Sequence, residues 1–390
     1  GSVSTLPGSH KAFGIGADEL DPIFTHLRGY ASMSRSIGIA GAGTLGRMLA
    51  LAFHRHGWDV TMFDRGSRGG NEEPVPSTGL VDLYLSLTRE TQAVAQLGEY
   101  ATEQWPAWIE SLPAPVHFIE NGALVVAHPR DQALLDARLE TLAELAPVDD
   151  VVTECAAADI KQLEPALAGR FARGLFFPLE QHLDPCSLLR ALATAMDAAG
   201  IPWHENCPVE QVEPRGITSA RGRSTFSWVI DARGRTTDAE ASDLRLRRHE
   251  RVRVHAPGIA LSRPVRIMHP SQEITLVPQA DHRYVIGSIV SDGDPQAPIT
   301  ARALLELLSA AHTVHPAFGE ATVLAARSVP VPSLPGGMPR LVPHQGLLTV
   351  QGAAAHPWCV LPALVDSALS FIDTGEVHPM ADGVMEAWTL

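Results

Sequence analysis

The sequence predicts an α/β fold, α+β overall, in which a core of parallel strands is discontinuous in the chain and interrupted by a β-rich insertion. A glycine-rich turn near residue 41 joins a short apolar run to an amphipathic helix. Two further apolar runs, near residues 230 and 350, each meet a glycine. Between them lies a series of strand-like segments.

The run Ser36-Ile37-Gly38-Ile39-Ala40 enters Gly41-Ala42-Gly43-Thr44-Leu45-Gly46, after which Met48, Leu49, Leu51, Ala52 and Phe53 recur at helical spacing. Gly57 ends that helix, as a residue with ready access to positive φ does. Residues 59–64 then read as a second buried parallel strand that ends in an acid, Asp64. The order strand, glycine turn, helix, strand is Rossmann-like. In such a unit Gly41 permits the tight turn, Gly43 lets the backbone approach a pyrophosphate, and Gly46 lets the helix pack closely on the strand. The helix start, at Thr44 and Leu45, presents free N–H groups to phosphate charge. Asp64 follows Gly41 by 23 residues, where this fold places the carboxylate that binds ribose hydroxyls. An acid at that point argues against a 2'-phosphate and leaves NAD or FAD; the alternative is a glycine-rich turn with no ligand.

Beyond the second strand, the regular alternation of a nicotinamide dehydrogenase is not kept. Residues 66–79 are rich in Gly, Ser and Pro, and helical patterns follow around 80–112 and 131–145. Between these, residues 116–127 read as a strand pair turning at Asn121-Gly122. Buried strands are expected at 226–234 and 346–352, with strands at 249–255, 263–269, 273–278 and 283–290 between them. The expected division assigns 34–88, 150–243 and 327–376 to the dinucleotide domain and 89–149 and 244–326 to a β-rich substrate domain. Residues 1–33, opening on Gly1-Ser2, read as an extension or tag.

The 390 residues, 45% hydrophobic and 19% charged, have the balance of a globular enzyme with room for two or three domain-sized units. A net charge of -14 opposes approach to phosphate backbones and anionic lipid, which argues against nucleic acid as a partner. No apolar run is long enough to cross a bilayer, and the first residues lack the pattern of a secretory signal, so the expected compartment is the cytoplasm. Cys155, Cys186, Cys207 and Cys359 show no C-x-x-C spacing, and neither a disulfide framework nor a metal site is expected.

The turn at 41–46, Val229-Ile230-Asp231-Ala232-Arg233-Gly234 and above all residues 263–318 resemble the D-amino-acid oxidase superfamily, nearest to the glycine oxidases of thiamine biosynthesis. Arg263-Pro264-Val265-Arg266-Ile267-Met268-His269-Pro270, Ile274-Thr275-Leu276-Val277-Pro278, Tyr284-Val285-Ile286-Gly287-Ser288 and His315-Pro316-Ala317-Phe318 carry the likeness. It spans nearly all of 36–374 and is diffuse between 85 and 200. The resemblance implies non-covalent FAD and oxidation of a carbon–nitrogen bond. Hydride passes to the flavin, the imine hydrolyses, and molecular oxygen reoxidises the flavin with release of hydrogen peroxide. It implies that the cofactor touches Gly41, Gly43, Thr44, Leu45, Gly46, Asp64 and Arg65, then Ser77, Thr78 and Gly79. Further contacts fall on Val209, Gly234, Gly352, His356, Trp358, Cys359 and Val360. The partners implied are a small amine or amino acid and oxygen, with a homo-oligomer or a protein partner left open.

By the same resemblance Arg327, in Leu324-Ala325-Ala326-Arg327-Ser328-Val329-Pro330, matches the arginine that clamps the substrate carboxylate through a bidentate pair. Ser328 stands where the family usually has proline, and Ala355 where its second substrate-facing arginine would be. The missing donor pair would cost about 1–3 kcal/mol, so glycine is expected to be a poorer substrate than a larger or N-substituted amine. His356 and His269 are candidates to face flavin or substrate, with structural histidines as the alternative. Trp358 reads as packing, Cys359 as a small buried hydrophobe rather than a point of flavin attachment, and Arg248-His249-Glu250 as structural. Residues 360–371 are expected to form a closing helix whose start faces the pyrimidine end of flavin. Two other readings stay open: a flavin dehydrogenase that passes electrons to a carrier, and an altered flavoprotein serving as an accessory or partner subunit.

Overall fold

The computed structural model describes residues 35–68, 77–234, 243–269 and 272–386. The expected extension at 1–33, Pro270 and most of the Gly-, Ser- and Pro-rich stretch, at 69–76, lie outside the described residues.

The chain begins with β1 (Ser36–Ala40), α1 (Thr44–Arg55) and β2 (Asp59–Phe63), and α2 (Gln92–Glu110) follows. Next come β3 (Ala123–Ala127), α3 (Ala133–Leu145), β4 (Thr153–Ala156), β5 (Arg173–Phe177), α4 (Pro185–Ala198), β6 (Trp203–His204) and β7 (Trp228–Asp231). The middle of the chain supplies β8 (Arg245–His255), β9 (Val265–Met268), β10 (Ile274–Gln279), β11 (Arg283–Ser291), α5 (Ala301–Val314) and β12 (Thr322–Ser333). It closes with β13 (Arg340–His344), β14 (Leu347–Gln351) and α6 (Pro357–Thr374).

Among the described residues a six-stranded sheet runs in the order β13-β14-β7-β1-β2-β6, parallel except where β13 meets β14. Its strands come from the two ends and the middle of the chain, so the Rossmann-like domain is discontinuous in sequence. Ile37, Ile39, Met62 and Ile230 lie in one core with Met48 and Leu49 of α1 and Leu361, Leu364 and Val365 of α6. Full burial of each such side chain contributes about 1.5–3 kcal/mol. The opposite face, at Ala40, Phe63 and Val229, is covered by Ile217 from a small sheet of Val209–Glu213, Gly216–Ser219 and Gly222–Thr225.

Among the described residues an eight-stranded sheet runs β12-β8-β11-β10-β9-β3-β5-β4. Alternation sorts its two faces, because successive side chains on a strand point to opposite sides. Val252, Val254, Ile286, Leu276 and Leu124 pack against Ala303, Leu307, Ala311 and Val314 of α5. The intervening positions, Arg251, Arg253, Val285, Gly287 and Thr275, belong to the other face.

Three expectations are corrected. Residues 118–127 contain two strands but no hairpin: Phe118–Ile119 pairs with Gln181–Leu183, whereas β3 pairs with β5 and β9, so Asn121-Gly122 carries the chain from one sheet to another. The helix expected from residue 80 starts only at Gln92, because the Leu83, Tyr84 and Leu85 amides donate instead to the buried Glu180 carboxylate at 2.8, 2.8 and 2.9 Å. The sheets also divide the chain differently from the expected segments. β4 and β5, expected within the dinucleotide domain at 150–243, pair into the larger sheet, and β12 crosses the boundary drawn at 327.

Candidate active site

The chain leaves β1 through Gly41, whose φ is 103°. A Cβ there would lie 2.8 Å from the Ala232 carbonyl oxygen, so the turns after β1 and β7 meet only through glycine. A Cβ on Gly46 would collide with the Gly41 carbonyl oxygen. Gly43 differs: it is exposed, and a Cβ there would meet no protein atom within 4 Å. Onto this open space faces the start of α1, which has no side-chain cap and no acid in its first turn, leaving its N–H groups available to an anion. The Asp64 carboxylate accepts the Ala42 amide at 2.7 Å and the Gly66 amide at 2.6 Å, and each oxygen keeps lone-pair capacity for a hydroxyl. Arg47 lies buried beneath the turn, donating to the Ala42 carbonyl at 2.8 Å and the Leu189 carbonyl at 2.6 Å. Burial lowers its pKa to about 10 against the opposing pull of Asp64, so it stays charged at neutral pH and adds positive field below the turn. Open space, unclaimed amides and a carboxylate at the strand end fit the pyrophosphate and ribose of FAD.

A cavity of about 230 Å³ opens where three elements converge: the loop at Ser77 and Thr78, the start of α6 at His356 and Cys359, and the sheet at His249 and Gly287. Thr78 stands over Gly287, where an added Cβ would be 3.6 Å from Thr78 Cγ2 and 2.9 Å from Arg251 Cβ. Here the β8–β11 ladder bulges: Glu250 pairs with Ile289 and Arg251 with Gly287, so Ser288 is the extra residue. Trp358 Nε1 donates to Ser77 Oγ at 2.6 Å and the Cys359 thiol to the Asp82 carbonyl at 3.3 Å, which ties the loop to the helix start. Burial pushes the Cys359 thiol far up, leaving it protonated and unreactive. Burial also holds His356 below its ordinary value, opposed by Asp82. His249 is lowered to about 4 by burial, with Arg251, His356 and Arg247 adding to the effect. Both imidazoles facing the cavity are neutral at pH 7. Arg266 is saturated: it reaches Asp82 and Glu273 at 3.2 Å and the Thr275 and Ser86 hydroxyls at 2.8 Å.

Arg327, Arg251, Gly287, Thr275 and Arg266 are successive cross-strand partners on β12, β8, β11, β10 and β9, and so form one row on the same face of the sheet. Arg251 is only 4% exposed, and neither Nη1 nor Nη2 has a hydrogen-bond partner. Burial lowers its pKa to about 10. Arg253 is provided for by Gln279 Oε1 at 3.1 Å, Cys186 Sγ at 3.2 Å and Asp184 at 3.7 Å. A second, smaller cavity of about 50 Å³ is lined by Arg251, Arg253, Arg327, Ser77 and Cys186 among others.

The structure thus brings Ser77, Thr78, His356 and Cys359 to the larger cavity and Arg327 to the smaller one, with Ser77 shared. Arg327 is exposed, and its Nη1 donates to the Ala326 carbonyl at 3.3 Å. Gly79 is buried in close approach to the Leu183 carbonyl, and Gly352 ends β14 against Leu334. Val209 accepts a bond from Arg233 at 3.3 Å beside the turn that ends at Gly234. Trp358 and Val360 are buried, Trp358 serving both as packing and as the tie to Ser77. Arg65 is exposed next to Asp64. His269 is exposed just past β9 and is not among the residues that line either cavity. His249, read from sequence as structural, lines the larger one. Arg251 and Arg47 were not legible as site residues; the available signal for Arg251 was its alternation with Val252 and Val254, which puts it on the face opposite theirs.

Known proteins resemble this chain in sequence and in fold. The family described as FAD dependent oxidoreductase (DAO) matches residues 36–365. A curated relative from Rhizobium etli, described as a thiamine biosynthesis oxidoreductase (ThiO), is 33% identical over 343 residues, covering 87% of this chain and 97% of the relative. A solved glycine oxidase from Geobacillus kaustophilus matches with a TM-score of 0.74 at 19% identity, over 87% of this chain and 95% of its own. A solved iminodiacetate oxidase from a Chelativorans species matches at 0.75 and 20%, over 90% and 99%. At such identities the two structures speak to the fold alone.

Proposed function

The chain belongs to the DAO family of FAD-dependent oxidoreductases, and from that premise we propose that it oxidises an amino acid or related primary or secondary amine to the imine, with oxygen as final acceptor and hydrogen peroxide as second product. The observation that carries this reading is the meeting of Thr78, the start of α6 and the bulge at Gly287 around one cavity, which shares the lining residue Ser77 with an arginine-lined one.

Bound FAD supplies the acceptor for the hydride from the carbon beside nitrogen and for its passage to oxygen. The chain's own residues supply position and field. The turn at Gly41 to Gly46, Asp64 and Arg65 hold the adenosine and pyrophosphate end, with Val209 and Gly234 beside it. Ser77, Thr78, Gly79, Gly352, His356, Trp358, Cys359 and Val360 frame the flavin end. The partial positive charge at the start of α6 favours negative charge brought near it. Arg327 binds the substrate carboxylate as a planar fork. The neutral imidazoles of His249 and His356 offer polar contacts without adding a second cation beside the arginines. Cys359, protonated and buried, leaves FAD held without a covalent bond.

The test is to offer glycine, sarcosine and bulkier amino acids to the FAD-loaded protein while following oxygen uptake and peroxide. Peroxide formed in step with amine consumed supports an oxidase. Amine consumption with an artificial acceptor but without oxygen uptake makes the protein a dehydrogenase, and inertness to every amine makes it an accessory flavoprotein.

A further inference from the structure

We propose that Arg251 is a second anchor for the substrate's carboxylate, working with Arg327 across the β8–β12 ladder and supplying the donor pair that Ala355 lacks. The proposal rests on the amine-oxidase reading above and narrows its substrates to amines that carry a carboxylate.

A guanidinium taken out of water is stable only where its N–H groups and charge are matched. Arg251 is nine-tenths buried and more, yet both terminal nitrogens lack partners, and they belong to a side chain that lines a cavity. Its neighbours do not supply the missing charge. Arg253 and Arg327 are cations, Cys186 is a thiol, His249 is an imidazole, and the nearby carboxylate, Asp184, lies 3.7 Å from Arg253. What the site lacks is an anion with two acceptor oxygens.

The size is right for one. The smaller cavity, about 50 Å³, exceeds the roughly 10–15 Å³ that one water requires and suits a carboxylate group, but not a whole amino acid. The remainder of such a ligand would lie in the larger cavity, which shares Ser77 with the smaller one and where Thr78, His249 and the start of α6 converge. Gly287 sets the anchor's position, since any side chain there would press on Arg251 Cβ at 2.9 Å. Arg251 and Arg327, directly opposed across the ladder, can then grip one carboxylate from two sides.

Equilibrium binding of acetate and benzoate to the FAD-loaded protein, with ethanol and benzyl alcohol as uncharged counterparts, tests this by calorimetry without any turnover. The expected result is binding of the carboxylates alone, weakened at least tenfold in Arg251→Met and only partly restored in Arg251→Lys, with flavin content unchanged in both. Equal carboxylate affinity in Arg251→Met overturns the proposal, as does failure of the unsubstituted protein to bind either carboxylate. Flavin lost from Arg251→Met also overturns it, because Arg251 would then serve the cofactor. If the methionine variant does not fold, unchanged affinity in Arg251→Lys overturns it by itself. Arg251-dependent carboxylate binding in a protein whose flavin no amine reduces would sink the oxidase reading and leave the anchor standing. Amine oxidation with an unchanged KM in Arg251→Met would do the reverse.

Discussion

The Ala42 amide donates to Asp64 Oδ2 at 2.7 Å, so the glycine turn after β1 and the end of β2 are held as one unit. Asp64→Asn replaces one acceptor oxygen with an N–H group that faces either the Ala42 or the Gly66 amide. One of those donors then loses its partner, a loss on the order of 1–3 kcal/mol. FAD titrated into the apoprotein should bind tenfold or more weakly, and an unchanged Kd would remove Asp64 from the cofactor site.

Gly43 and Gly46 should separate cofactor binding from folding. A side chain at Gly43 meets only open space in the protein, whereas one at Gly46 strikes the Gly41 carbonyl. Gly43→Val is therefore expected to purify without flavin yet keep the thermal stability of the apoprotein. Gly46→Val is expected to lower Tm whether or not FAD is present. Normal flavin content in Gly43→Val would mean that the pyrophosphate lies elsewhere.

Arg327→Ala should leave FAD binding and folding intact while reducing kcat/KM by at least about 2 kcal/mol, the scale of a lost charge-assisted pair. Arg327→Lys should recover only part, because a point-charge ammonium cannot reproduce the two-donor fork. Steady-state kinetics decides it: undiminished turnover in Arg327→Ala would take the carboxylate away from this residue.

His249 gives a pH dependence with a definite sign. Unfolded, it takes a proton below 6.5, but folded it resists protonation down to about 4. Its contribution is fully present above pH 6.5 and is lost as pH falls through 4, at on the order of 1 kcal/mol per pH unit across that window. Denaturant unfolding of His249→Asn should show a shallower loss of stability over this window than the unsubstituted protein. Parallel curves would show that the imidazole is already protonated in the fold.

The unit from β1 to β2 was legible because everything that shapes it is local: three glycines in one turn, a helix between two apolar strands, and an acid at the second strand's end. Strands β8 to β11 were legible as short strand-like runs near 249–255, 263–269, 273–278 and 283–290. The pairing was not, because it is decided far along the chain. β3 turns away from Phe118–Ile119 to join β9, whose partner residues lie more than a hundred positions later. The missing first turns of α2 have the same origin, since Glu180 claims three of their amides from about a hundred residues away. Arg251 carries no such local mark: alternation with Val252 and Val254 only puts it on the face opposite theirs, and its unpaired guanidinium emerges only when β12 brings Arg327 opposite and β11 presents a glycine beside it.

The most direct measurement is the visible absorption of the FAD-loaded protein titrated with amino acids under strict exclusion of oxygen. The account predicts that at least one carboxylate-bearing amine bleaches the flavin band with one equivalent of imine-derived keto or aldehyde product per flavin, and that admitting oxygen restores the band with release of peroxide. A fully loaded flavin that no amine bleaches, while dithionite reduces it normally, would contradict the account.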